Sequence, residues 1–148
     1  MKPHDYLLDT SALINYPLLA WRRQPVWFSM MVLQELLAGA DGKSSIKGYE
    51  TLRVGYERRG RLLVPDADAW WQAGKVLNHL LSDLSRKHPG RARPQLDHAH
   101  KQSIIRDILI AVSAKQHSLT VVSDNQDFPL LQNYYTFKWR KASAFFAV

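Results

Sequence analysis

The chain has 148 residues, 46% of them hydrophobic, which predicts one globular domain over residues 1–148 with a sizeable core. It has no Cys, which excludes disulfides and thiolate metal sites, and no apolar run suited to a signal peptide or a membrane span, so we expect a cytoplasmic protein. Its 20 Lys and Arg outnumber its 13 Asp and Glu, and the resulting net charge of +7 favours polyanionic partners such as nucleic acid.

Short apolar runs alternate with segments of helical periodicity along the chain. The apolar runs, with a final aromatic segment, predict strands at 6–8, 26–28, 61–64, 119–123 and 134–139. The periodic segments predict helices over 11–20, 30–38, 45–59, 66–84 and 103–115, with a turn at 41–45 and a short helix near 130–131. This alternation predicts an α/β fold with a central, mostly parallel sheet of four to five strands and helices on both faces.

Residues 86–102 differ in composition from the rest of the chain, because they are polar, basic and contain two Pro. We predict a loop or an irregular helix end there. His98 and His100 could suggest a zinc site, but such a pair in a basic loop is more typical of a solvated surface. The next segment, 103–115, is apolar on nearly all sides and predicts a packed central helix.

Acidic residues follow two of the predicted strands, at the sheet edge where parallel sheets bind ligands. Asp9 comes directly after the first strand, and Asp124 and Asp127 follow the fourth. Glu35 lies in the helix that follows the second strand. Taken alone, Asp9 suits a helix cap and Glu35 suits a solvated helix residue, whereas together they suggest a metal site.

Asp107 is the acid that is hardest to explain structurally, because it lies near the start of the apolar helix among Ile and Leu residues. A role at the positive end of the helix dipole is one explanation. Arg106 is expected to point to a different face, since adjacent helical residues diverge by about 100°. Several converging carboxylates repel one another unless a cation neutralises them, and oxygen ligands favour Mg²⁺ or Mn²⁺. An acidic, metal-loaded pocket in a basic protein is typical of a nuclease.

Three segments carry a resemblance to a known family: LLDTSALI at 7–14, SMMVLQELLAG at 29–39 and RDILIAVSAKQHSLTVVSDNQDF at 106–128. In this order and at these separations they resemble the PIN domain, and more narrowly the VapC-type toxin ribonucleases of toxin–antitoxin pairs. The resemblance implies a PIN-like three-layer sandwich and a Mg²⁺- or Mn²⁺-dependent endoribonuclease that hydrolyses RNA phosphodiester bonds. It also implies a homodimer and a cognate antitoxin whose C-terminal segment covers the acidic pocket.

The resemblance also implies which residues form the site. The family's acids carry over onto three positions, Asp9, Glu35 and Asp107. The fourth position departs from the usual pattern, because Asn125 stands two residues after Ser123. Either Asp124 or Asp127 supplies the missing catalytic and metal-binding carboxylate, or three acids suffice with Asn125 as a neutral ligand. Ser11 and Ser123 match hydroxyl positions near the metal, with capping and turn formation as the alternatives.

Other residues are candidates for contacts with RNA or protein. The candidate RNA-binding residues are basic and lie outside the acidic motifs: Arg22, Arg23, Arg86, Lys87, Arg91 and Arg93. Trp70 and Trp71 are adjacent and cannot both face inward, so one is a candidate for a subunit or partner contact. The alternative function is a degenerate PIN domain that binds RNA or protein without cleaving, which Asn125 favours. Nucleotide binding has no support, because the chain lacks the glycine-rich phosphate-binding motifs.

Overall fold

Strands and helices alternate through the described part of the chain, residues 5–16, 25–87 and 98–147 of a computed structural model. Five strands are found there: β1 Tyr6–Leu8, β2 Val26–Ser29, β3 Leu62–Leu63, β4 Thr120–Ser123 and β5 Lys138–Lys141. Seven helices are found in the same ranges: α1 Thr10–Asn15, α2 Met30–Ala38, α3 Gly42–Arg58, α4 Ala67–Lys87, α5 His98–Gln116, α6 Asp127–Leu131 and α7 Ala142–Phe145. None of these described helices combines the length and the hydropathy that a membrane crossing requires.

All five strands run parallel in one sheet of order β3-β2-β1-β4-β5. The central strand is β1, where Tyr6 pairs with Val26 on one side and with Thr120 on the other. The strand order reverses at β1, so the carboxyl ends of β1 and β4 adjoin at the point where such sheets bind ligands. The predicted α/β class with a parallel sheet is confirmed.

The sheet separates two hydrophobic cores, because successive strand residues point to opposite faces. Leu7 and Val121 face the larger core, which α2, α4, α5 and α6 complete. Leu8 and Val122 face the smaller core with α1, α3 and α7. Helices therefore cover both faces, as the predicted three-layer arrangement requires. Helix α5 is buried along its residues 107–114, which confirms the prediction of a packed central helix.

Both ends of α2 are capped. Ser29 Oγ accepts a hydrogen bond from Met31 N at 3.2 Å, and Gly39 is the C-cap residue after Ala38. The predicted turn at 41–45 is wrong, because α3 begins at Gly42. Ile46 and Tyr49 face a groove shared with α2, and this packing extends the helix through residues that favour turns in isolation.

The predicted loop at 86–102 is also wrong at both ends. Arg86 and Lys87 belong to α4, and α5 begins at His98. The end turns of these helices are solvent-exposed, so they carry no apolar periodicity that a sequence pattern could reveal. Residues 88–97 lie outside the described part of the chain.

The predicted last strand at 134–139 is displaced toward the C-terminus. Tyr134 and Tyr135 pack against the larger core instead, and Tyr134 Oη donates to Asp83 Oδ2 at 2.6 Å. The strand forms at Lys138–Lys141, where Ser123 pairs with Lys141, and the unpredicted helix α7 follows.

The adjacent Trp70 and Trp71 near the start of α4 are both exposed, by 57% and 70%. As predicted, they do not both face inward, and neither belongs to the core.

Candidate functional site

Asp9 is fixed at the carboxyl end of β1. Its backbone N–H donates to Val122 O at 3.1 Å, which extends the pairing of β1 with β4. Its carboxylate is buried, and Oδ2 accepts hydrogen bonds from Ser123 Oγ at 2.8 Å and Ser11 Oγ at 3.3 Å. Burial nevertheless raises the pKa of Asp9. Asp9 does occupy the N-cap position of α1, as the alternative role expects, but its side chain makes no capping hydrogen bond to that helix, so capping does not explain the carboxylate.

Asp107 is the second buried carboxylate, and only 5% of it is exposed. Its Oδ2 accepts a hydrogen bond from Asn125 Nδ2 at 3.2 Å. Burial, together with the nearby charges of Asp9 and Asp127, raises the pKa of Asp107 to about 8. Because α5 begins at His98, Asp107 lies near the middle of the helix and not near its start. The explanation by the helix dipole is therefore wrong, since that effect is confined to the end turns.

Glu35 reaches the same site from α2, on its more exposed side. Its Oε2 accepts a hydrogen bond from Thr10 Oγ1 at 2.9 Å, and its Oε1 pairs with an Arg106 guanidinium nitrogen at 3.2 Å. As expected, Arg106 pairs with a residue other than Asp107, although its long side chain reaches the cavity that Asp107 also lines.

The cavity has a volume of about 300 Å³ and opens beyond the carboxyl end of the sheet. It brings together three predicted acids, Asp9, Glu35 and Asp107, with Asn125 and Ser11. Four lining residues were not predicted, namely Thr10, Ile14, Ser103 and Arg106. Thr10 and Arg106 each adjoin a predicted acid in the sequence, and that adjacency is the signal that could have identified them.

Asp124 does not line this cavity. Its Oδ2 accepts from Tyr16 Oη at 2.8 Å, and its Oδ1 accepts from Ser143 N at 3.0 Å. Partial burial acts to raise the pKa of Asp124, but these hydrogen bonds and the nearby Lys141 outweigh it and lower the pKa. The structure therefore directs Asp124 to the start of α7 and away from the other acids.

Asn125 and Asp127 lie on the Asp107 side of the turn after β4. The Asn125 backbone N–H donates to Ser123 Oγ at 2.9 Å, and Asn125 Oδ1 accepts from Asp127 N at 3.0 Å. The Asp127 carboxylate is close enough to raise the pKa of Asp107, although it does not line the cavity. Asn125 thus stands between the buried acid and the turn, with its amide N–H directed to Asp107.

The residues present suit a hard divalent cation. Asp9 and Asp107 are buried, and the hydrogen bonds to their carboxylates come from neutral hydroxyl and amide groups. A cation would offset their mutual repulsion, and the donor set consists of oxygen atoms. As the side chains stand, however, the described ranges contain no group of three or more acids or His close enough to hold an ion.

The predicted RNA-binding residues are only partly within the described chain. Arg86 and Lys87 are exposed at the end of α4, and each pairs with Asp83 at 3.2 Å. Neither lines the acidic cavity. Arg22, Arg23, Arg91 and Arg93 lie outside the described residues.

Fold and site together define an α/β domain with an acidic cavity at the switch point of a parallel sheet. The family model of the PIN domain matches residues 6–133, so the chain belongs to the PIN domain family, a family of nucleases. A comparison with curated protein sequences finds no match.

Solved structures of the same fold come from toxin–antitoxin complexes. DNA-bound VapBC from Salmonella typhimurium aligns with a TM-score of 0.58 and 21% identity, over 95% of this chain and 99% of that chain. VapBC-5 from Mycobacterium tuberculosis aligns with a TM-score of 0.57 and 22% identity, over 94% of this chain and 99% of that chain. VapBC-1 from nontypeable Haemophilus influenzae aligns with a TM-score of 0.58 and 20% identity, over 94% of this chain and 98% of that chain. These alignments confirm the PIN-like fold along nearly the whole chain.

Proposed function

We propose that this protein is a Mg²⁺- or Mn²⁺-dependent endoribonuclease that hydrolyses RNA phosphodiester bonds as the toxin of a type II toxin–antitoxin pair. The observation that carries the proposal is the pair of buried carboxylates, Asp9 and Asp107, on one cavity wall of a PIN domain. Buried acids that lack a cationic hydrogen-bond partner destabilise a fold, so a functional reason for keeping them is needed.

Asp9, Asp107 and Glu35 would hold the ion. Asn125 would orient Asp107 through its amide N–H, since Asn125 Oδ1 already accepts a hydrogen bond from Asp127 N. When bound, such an ion supplies an activated water and offsets the negative charge that develops on the phosphodiester. Asp124 lies outside the cavity, where its two oxygens accept hydrogen bonds from Tyr16 and Ser143, so we assign it a structural role. Asp127 acts on the site through the electrostatic field at Asp107.

The surrounding residues orient these acids. Ser123 and Ser11 direct their hydroxyls to Asp9 Oδ2 and so fix the orientation of this carboxylate. Asn125 holds one oxygen of Asp107 in the same way. Such hydrogen bonds fix the orientation of a ligating carboxylate and are a regular part of metal sites.

The test is cleavage of RNA by the purified protein with Mg²⁺ or Mn²⁺, compared with the same protein in EDTA. Asp9→Asn removes a proposed ligand and is expected to abolish cleavage. Asp41→Asn is the matched control, because Asp41 is an exposed acid without a capping hydrogen bond. Equal activity in wild type and Asp9→Asn would contradict the proposal.

A second candidate is a PIN domain that binds RNA or protein without cleaving it. Asn125 favours this alternative, because it leaves the cavity with three acids that do not converge into a metal-binding group in the described residues. The same assay separates the two functions. A non-catalytic domain retains RNA in a binding experiment and leaves it intact at every concentration of Mg²⁺ or Mn²⁺.

We further propose a cognate antitoxin and a homodimer as partners. The solved structures of similar fold are VapBC complexes, which supports the first. Expression of the protein is expected to arrest growth, and co-expression of a small protein encoded beside it is expected to restore growth. Light scattering of the purified chain tests the dimer, and a monomeric mass would contradict it.

A further inference from the structure

Arg106 is the cationic side chain of the acidic cavity; among the described residues that line it, no other carries a positive charge. One guanidinium nitrogen pairs with Glu35 Oε1 at 3.2 Å, and the side chain is 36% exposed. A guanidinium carries five N–H donors in a planar fork. The contact with Glu35 therefore leaves donors that can face a ligand entering the cavity.

An RNA phosphate that enters this cavity meets three carboxylates, from Asp9, Glu35 and Asp107. These acids repel a phosphodiester, and Arg106 places a fixed positive charge beside them that attracts it, in addition to the proposed ion. Arginine suits this task, because its planar fork matches two phosphate oxygens at once.

The ion pair with Glu35 does not by itself explain Arg106. Both side chains are more than one third exposed, and ion pairs of that exposure contribute little to stability. The pair Arg53–Glu57 on α3 has similar exposure and lies outside the acidic cavity. It therefore provides a matched control for the loss of an arginine charge.

We propose that Arg106 binds an RNA phosphate at the mouth of the acidic cavity and positions the backbone for cleavage. This inference rests on the proposed ribonuclease function and names the residue that contacts its substrate. The ion pair with Glu35 holds the guanidinium over the cavity, and the remaining N–H donors of Arg106 then bind the RNA phosphate.

The first experiment measures binding of a fluorescent single-stranded RNA in EDTA over a series of KCl concentrations. Arg106→Gln is expected to weaken binding about tenfold and to reduce the slope of log K against log [KCl] by about 0.7, the value for one lost phosphate contact. Arg106→Lys keeps the charge and is expected to keep the slope. Arg53→Gln is expected to change neither quantity.

The second experiment measures cleavage kinetics with Mn²⁺. Arg106→Gln is expected to raise KM at least tenfold, and Arg106→Lys to recover part of that loss. An unchanged salt slope in both Arg106 variants would overturn the inference, even with reduced cleavage, because Arg106 would then act on Glu35 alone. Wild type that binds RNA with an Arg106-dependent slope but never cleaves would instead overturn the proposed function.

Discussion

Replacing Asp107 by Asn is expected to stabilise the ion-free protein while abolishing its activity. The pKa of Asp107 is raised from 3.8 to about 8, so the folded state binds more protons than the unfolded state between these pH values. Its stability therefore falls as pH rises through this window, by about 1.4 kcal/mol per pH unit for this residue. Relative to low pH, ionisation of Asp107 therefore lowers the free energy of unfolding by on the order of 6 kcal/mol at pH 8 and by roughly 2 kcal/mol at pH 5.

The Asn side chain removes this pH-dependent loss but adds an amide that needs a hydrogen-bond partner, at a cost of about 1–3 kcal/mol. Asp107→Asn is therefore expected to match wild type near pH 5 and to exceed its free energy of unfolding by about 4 kcal/mol at pH 8.

The measurement is urea denaturation in EDTA at several pH values from 5 to 9. Asp124→Asn is the control of opposite sign, because the pKa of Asp124 is lowered and the folded state favours its ionised form. This variant is expected to lose stability above the ordinary pKa of an aspartate. If Asp107→Asn is less stable than wild type at pH 8, or if the difference does not change with pH, the electrostatic account of Asp107 is wrong.

Three further predictions concern the residues around the acids. Asp124→Ala removes the hydrogen-bond acceptor of Tyr16 and Ser143. It is expected to lower Tm by about 5 °C and to leave the rate of RNA cleavage within twofold of wild type. Loss of cleavage would show that Asp124 is a metal ligand. Ser123→Ala removes the 2.8 Å hydrogen bond to buried Asp9. It is expected to lower the free energy of unfolding by about 1–3 kcal/mol in urea denaturation and to slow cleavage at least tenfold. Unchanged kinetics would show that Ser123 does not orient Asp9. Mn²⁺ at 100 times its Kd is expected to raise the free energy of unfolding by about 2.7 kcal/mol. Binding is expected to be tighter at pH 8 than at pH 5, because the ligands must be deprotonated. An equal rise in the free energy of unfolding of Asp107→Asn would show that the ion binds elsewhere.

The three acids that line the cavity could be predicted from the sequence, but on different grounds. Asp9 ends a strand, Glu35 lies in the helix after the second strand, and Asp107 is an acid in an apolar helix; the family resemblance joins the three. The residue at the family's fourth acidic position could not be assigned from residue type alone, because Asp124, Asn125 and Asp127 all lie within four residues of one another.

The structure explains the fourth position through strand alternation. Val122 faces the smaller core, so Ser123 faces the larger one and Asp124 returns to the side of α7. Asn125 then points toward α5, where it contacts Asp107. Continuing the alternation of β4 past its last residue predicts this outcome, whereas residue type alone favoured an acid.

Arg106 and the starts of α3 and α5 show what sequence patterns miss. Adjacent helical residues point about 100° apart, which indicates that Arg106 is not the partner of Asp107, but that angle does not reveal that the long Arg106 side chain reaches the cavity and pairs with Glu35. The early turns of α3 and α5 are exposed and carry turn-forming or charged residues, so tertiary packing of the later turns decides where each helix begins.

The most direct test of the account is mapping the new 5′ ends of cellular RNA after brief induction of the wild-type protein and of Asp107→Ala. The account predicts discrete new ends within minutes in wild type and none in the variant, because the variant lacks a proposed ligand of the ion. The same set of ends in both, or no new ends in either, would contradict the assignment of ribonuclease activity to this cavity.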